Sequence, residues 1–77
     1  MANAQATYRD QQGRELTLKF HIDLKTQTIQ ELLIQGELTT QMELELNEFK
    51  TIVLGQTMSE IYSLKRESLQ AEKLLDN

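Results

Sequence analysis

The sequence has no cysteine, no proline and no tryptophan, and only one histidine. Without cysteine, no disulfide can staple the chain and no thiolate can bind a metal or attack an electrophile. Nothing therefore points to secretion. The opening "MANAQAT" has neither a basic region nor an apolar run, so it does not resemble a signal peptide. No apolar stretch approaches the roughly 20 residues that a membrane span needs. A cytoplasmic location and no membrane partner are expected. Lysine and arginine are also scarce, 8 against 12 aspartates and glutamates, for a net charge of −4. Nucleic acid is thus not an expected partner, because phosphate binding needs clustered cations.

The 77 residues suffice for one small domain. Such a chain leaves much of its surface exposed and has a thin stability margin. Leucine and isoleucine are plentiful, so a core of aliphatic side chains is within reach and disorder is not indicated.

Residues 1–12 read as a flexible N-terminal tail, and residues 13–77 as a single α+β domain. "MANAQAT" is small and polar, and "YRDQQGR" around Gly13 suggests a short turn. "ELTLKFHIDLK" places Leu16, Leu18, Phe20, Ile22 and Leu24 at every second position, the pattern of a half-buried strand with one wet face. The polar "KTQT" is a plausible hairpin connection, although it lacks Asn-Gly or Asp-Gly. In "TIQELLIQGEL", Ile29 opens a second strand, with Leu32 and Ile34 on one face and Leu33 on the other. Gly36 marks its end, where a bulge or a close backbone approach is expected.

"QMELELNEFKTIVLG" carries two signals. Met42, Leu44 and Leu46 alternate like a strand, whereas Met42, Leu46, Phe49 and Val53 form a helical stripe. Thr40 and Glu43 match a capping box, and Gly55 stands where a helix stop belongs. A helix from about Gln41 to Leu54 is predicted, with Glu45 at the edge of the stripe reaching out to solvent. Thr57 and Glu60 repeat the capping box, and Met58, Ile61, Tyr62, Leu64 and Leu69 line a second helix. Either that helix runs through "KRES", or Ser68 starts a separate final turn containing Leu69, Leu74 and Leu75. The predicted architecture is an antiparallel hairpin of two strands, or three, followed by two or three helices packed on one face. A lone hairpin is not stable in water, so a third strand from near Tyr8 or from a second copy would complete the sheet.

Few residues suggest chemistry. His21 lies on the polar face of the first strand between Lys19 and Asp23, with neither nucleophile nor orienting partner in sight, so a solvated strand residue is expected. Glu43, Glu45 and Glu48 lie near a helix start, where the dipole favours them; no histidine joins them and no calcium-loop motif is present. Lys65, Arg66 and Lys73 make a small basic cluster suited to a helix C-terminus. Gly13, Gly36 and Gly55 are too scattered for a phosphate loop. Ser59, Ser63 and Ser68 lack the strained elbow of an exposed nucleophile. No enzyme, metal site or cofactor is expected.

The order strand, turn, strand, glycine, capped helix, Gly-x-Thr, helix over Leu16 to Ile61 resembles the superfamily of the iron–sulfur scaffold proteins and the accessory domain of lipoate–protein ligases. The scaffold proteins hold their cluster with three cysteines, the first in a Gly-Cys pair after the second strand. Here that place is Gly36-Glu37, so the resemblance implies no cluster assembly. The ligase accessory domain needs no cysteine and packs against a catalytic domain. What the resemblance implies is a non-catalytic accessory or interaction module with a protein partner. A small homo-oligomeric structural protein, pairing by free strand edges, is the alternative. The candidate partner-binding residues are Gly36, Glu37 and Leu38, at a loop feeding a helix N-terminus, together with Tyr62, whose amphipathic ring suits an interface.

Overall fold

Alternating alanines open the chain as a strand. A computed structural model describes residues 2–63 and 69–76, the last segment by its backbone path. Strand β1 spans Ala2–Arg9, with Ala2, Ala4, Ala6 and Tyr8 buried and the residues between them on the other face. The flexible tail expected before Gly13 is therefore corrected: β1 lies inside the sheet, paired on both sides. Ala4 stands opposite Phe20 and Ala6 opposite Leu18, so small side chains sit beside large ones.

Strand β2 (Glu15–Asp23) follows the predicted alternation, with Leu16, Leu18, Phe20 and Ile22 buried. It ends a residue before Leu24, which sits in the turn and is exposed rather than facing the core. The turn is held by Asp23, whose side chain accepts from the Lys25 N–H at 2.8 Å and whose carbonyl accepts from the Gln27 N–H at 2.7 Å. Gln27 takes the left-handed conformation, φ 59°, that glycine or asparagine usually supplies in such turns.

Strand β3 (Thr28–Gln35) pairs antiparallel with β2. His21 faces Glu31 and Ile22 faces Ile29, so Gln30 is the extra residue of a bulge. The bulge explains why Ile29 and Leu32, an odd distance apart, are both buried. The close approach expected at Gly36 is present: at φ 128°, a Cβ there would stand 2.6 Å from Leu16 Cδ2.

Helix α1 (Thr40–Val53) buries the predicted stripe of Met42, Leu46, Phe49 and Val53. Its cap is Thr39 rather than Thr40: the Thr39 hydroxyl accepts from the Met42 N–H at 3.2 Å. Gly55, φ 86°, follows the helix end as predicted. Helix α2 (Met58–Tyr62) opens with the predicted capping box between Thr57 and Glu60. The chain between the helices docks on the start of β3. Ile29 N–H donates to the Gln56 carbonyl at 2.8 Å, and Gly55 N–H donates to the Ile29 carbonyl at 2.9 Å.

The predicted helical ending is also corrected. Leu69–Asp76 form strand β4, antiparallel to β1. The register slips between Ala4 and Gln5, which face Leu75 and Glu72. An even slip leaves the alternation of the strand unchanged; what hides "LQAEKLLD" from a period-two reading is that Lys73 interrupts the series Leu69, Ala71, Leu75 and that Leu74 adjoins Leu75. Whether α2 runs on through Lys65–Ser68 falls outside the described residues, as does Leu64. The protein is thus α+β, with an antiparallel sheet in the order β3-β2-β1-β4. The buried residues of β1, β2 and β3 share one hydrophobic cluster with those of α1 and α2. Among the described residues, no helix is long and apolar enough to cross a membrane.

Candidate functional site

The β1–β2 connection is built on one carboxylate. Asp10 Oδ1 accepts from the backbone N–H of Gln12 at 2.9 Å and of Arg14 at 2.8 Å, while Oδ2 accepts from Arg14 Nε at 2.7 Å. Two backbone bonds close the same turn, from Asp10 N–H to the Arg14 carbonyl and from Gly13 N–H to the Asp10 carbonyl. Arg14 also reaches the side-chain oxygen of Gln12. Desolvation pulls the Asp10 carboxyl pKa upward, but the donors from Arg14 and Gln12, with the Arg14 charge, outweigh it and hold the carboxyl below its ordinary value. Beside the turn, Arg9 bonds Glu15 across the strands at 2.9 Å.

The facing wall is the first turn of α1. Tyr8, buried at the end of β1, donates its phenolic hydroxyl to Glu45 Oε2. Gln41 Nε2 donates to the other oxygen of Glu45 at 3.3 Å. Burial first, and then the Glu45 bond and charge, push the Tyr8 pKa up to about 12. Glu45 therefore does not simply reach out to solvent, as its place at the edge of the stripe suggested; it ties the helix to the sheet.

Between these walls lies an open groove of about 970 Å³, lined by residues that include Tyr8, Arg9, Gln12, Arg14, Thr40 and Gln41. Its charges nearly balance, with Arg9 and Arg14 against Asp10 and Glu45. Its two walls are held by side-chain bonds within each wall and between Tyr8 and Glu45.

The candidate residues from the sequence fall into two places. Gly36, Glu37 and Leu38 are exposed, and Leu38 directly precedes Thr39 and Thr40 at the groove's lip. Tyr62 is half-buried on α2 against the core. Thr57, at the start of α2, bridges Thr28, at the opposite end of β3 from Gly36. The structure thus does not bring Tyr62 to the other three. His21 lies on the wet face as expected, with Nδ1 3.2 Å from Glu31 Oε1. Glu43 and Glu48 are exposed on α1, and among the described residues no group of three His, Cys, Asp or Glu side chains is placed to hold a metal. Lys65 and Arg66 lie outside the described residues, and Lys73 falls on β4.

The residues that shape the groove but were not singled out are Tyr8, Asp10 and Arg14. In "YRDQQGR" the aspartate three residues before a glycine is the signature of an Asx-type turn, which marks the bond from the Gln12 N–H; nothing in it signals the further bonds from Arg14. The chain matches no protein-family model, no curated protein and no solved structure.

Proposed function

We propose that the protein is a non-catalytic interaction module, which docks a segment of a partner protein in the groove between the β1–β2 turn and the start of α1. In this reading the two helices cover the apolar face of the sheet, and the groove opens beside their first turn. The observation that carries the reading is the adjacency of exposed Leu38 to a groove whose polar walls are already fixed. An apolar anchor beside fixed hydrogen-bonding groups is the anatomy of a protein interface. Fixed walls also lower the ordering cost of binding. Tyr8 is committed to Glu45, and its raised pKa makes it a poor base or nucleophile at neutral pH.

The resemblance of Leu16 to Ile61 to the accessory domain of lipoate–protein ligases supplies the class of partner. It is an acyl-ligase catalytic subunit lacking an accessory domain of its own, met in the cytoplasm. The test is amide NMR of the labelled protein titrated with such a subunit. Signals of Gln12, Arg14, Leu38 and Gln41 should shift, and Leu38→Lys should weaken the binding. Shifts confined to other surfaces, or none at all, would sink the reading.

A further inference from the structure

Strand β3 is an edge of the sheet, and its outer side is only partly used. At Thr28 and Ile29 that side is taken by Gly55, Gln56 and Thr57. Gln30 is spent on the bulge. At the far end the chain turns away at Gly36, φ 128°. Between these stops runs Glu31 to Gln35, and no backbone group of another described segment pairs with its outer side. Natural proteins blunt such edges with charges, above all lysine, with proline and with bulges; here the bulge at Gln30 lies before the free stretch, and Glu31 at its start is the one charge in "ELLIQ".

We propose that this edge pairs with the same edge of a second copy, antiparallel, about a two-fold axis at Leu33. The sequence of the edge fits itself. A two-fold axis perpendicular to the sheet keeps the apolar faces of both copies on one side and sets each residue opposite one of the same facing. With the axis at Leu33, Leu33 meets Leu33, Leu32 meets Ile34, and Glu31 meets Gln35. The half-buried Ile34 gains cover. The carboxylate of Glu31 meets an amide that can donate to it, and no like charges oppose.

Neighbouring registers fail on the same residues. An axis at Leu32 would need Ile29 and bulged Gln30, of which Ile29 is already bonded to Gly55 and Gln56. An axis at Ile34 would oppose Glu31 to Glu37 and require Gly36 to stay in the strand. Exposed aliphatic residues gather at this same edge. Of the six large hydrophobics exposed among the described residues, Leu33 lies on β3 and Leu54 next to Gly55, which is docked on it. The contact is isologous and closes on itself, so it stops at a dimer instead of growing a fibre.

Sedimentation of the purified chain over a range of concentrations tests this directly. Twice the mass of one chain is expected, and Leu33→Lys should weaken the dimer by about tenfold or more, since it sets two cations opposite each other and removes the leucine contact. Leu33 is exposed, and circular dichroism of the variant should match the parent. As a second probe, Leu33→Cys should oxidise readily to a linked dimer in this cysteine-free chain, whereas Glu31→Cys should not, because its own copy lies four positions along the strand. A monomer at every concentration, a dimer indifferent to Leu33→Lys, or equal linking at both positions would overturn the proposal. None of the residues that line the groove belongs to β3, so Leu38→Lys should leave the dimer intact, and Leu33→Lys should leave groove binding intact.

Discussion

Tyr8 and Glu45 join the sheet to the first helix: the phenol at the end of β1 donates to a carboxylate one turn into α1, 37 residues along the chain. The ring is buried while Glu45 remains exposed, so removing the hydroxyl leaves the acceptor free to take water. Tyr8→Phe should therefore lower stability by only about 1 kcal/mol, as urea denaturation would record. A loss as large as that of a core truncation, about 3 kcal/mol or more, would mean that the ring itself had moved.

The same pair sets a pH dependence. A free tyrosine titrates near 10, while Tyr8 is held up to about 12. Between those values the folded chain keeps a proton that the unfolded chain releases, so stability falls as pH rises. The contribution of the neutral phenol should be complete below pH 10 and lost on passing 12. Tyr8→Phe should lack that step while keeping whatever the lysines contribute. Parallel alkaline unfolding curves for the two proteins would show that Tyr8 is not held in this way.

Gly36 and Gly55 both have positive φ but should respond differently to alanine. Around Gly55 a Cβ would meet nothing, so Gly55→Ala should cost only the left-handed backbone strain, about 1–2 kcal/mol. At Gly36 the added carbon would also stand 2.6 Å from Leu16 Cδ2, and Leu16 is buried in the core. Displacing it should add about 1–3 kcal/mol. Thermal unfolding of the two variants gives the comparison, and an equal loss would show that Leu16 yields freely.

These residues also show how far the fold was legible. The alternation of β2 and the stripe of α1 stand out because their buried positions carry large aliphatic and aromatic side chains. β1 alternates as regularly, but its inward residues are mostly alanines, which favour strands little and look polar beside Asn3 and Gln5. Only its pairing with β2 and β4 reveals their burial. β4 is hidden because Lys73 interrupts the series Leu69, Ala71, Leu75 and because Leu74 adjoins Leu75, and the turn built by Asp10 depends on bonds that have no sequence period. The loop at Gly36–Leu38 was legible as a corner, whereas the groove beside it required β1.

Asp10 makes that groove's wall sensitive to acid. Its carboxyl pKa lies below the ordinary value, so its contribution to folding is present above that ordinary value and fades as pH falls through the folded one. Asp10→Asn keeps the shape but removes the charge that Arg14 pairs with. Amide exchange at the Arg14 N–H should then quicken, and the acid dependence seen in the parent should disappear. Unchanged protection would show that the two backbone bonds of the turn suffice without the side chain.

The helix caps offer the sharpest contrast between adjacent residues. From the sequence, Thr40 with Glu43 matches a capping box, yet the bond to the Met42 N–H comes from Thr39, and Thr40 is already the first helical residue. Thr39→Ala should thus cost about 1 kcal/mol, while Thr40→Ala should stay within about 0.5 kcal/mol of the parent. At α2 the expected box is formed in both directions, with Thr57 Oγ1 accepting from the Glu60 N–H at 3.2 Å and Glu60 Oε1 from the Thr57 N–H at 3.1 Å. Thr57→Ala should also cost about 1 kcal/mol, and amide exchange should quicken at Glu60. Because Gln56 and Gly55 hold Ile29 just before this cap, exchange at Ile29 should quicken with it. If Thr40→Ala proved costlier than Thr39→Ala, α1 would begin one residue later, and Glu43 would be reaching back to Thr40 after all.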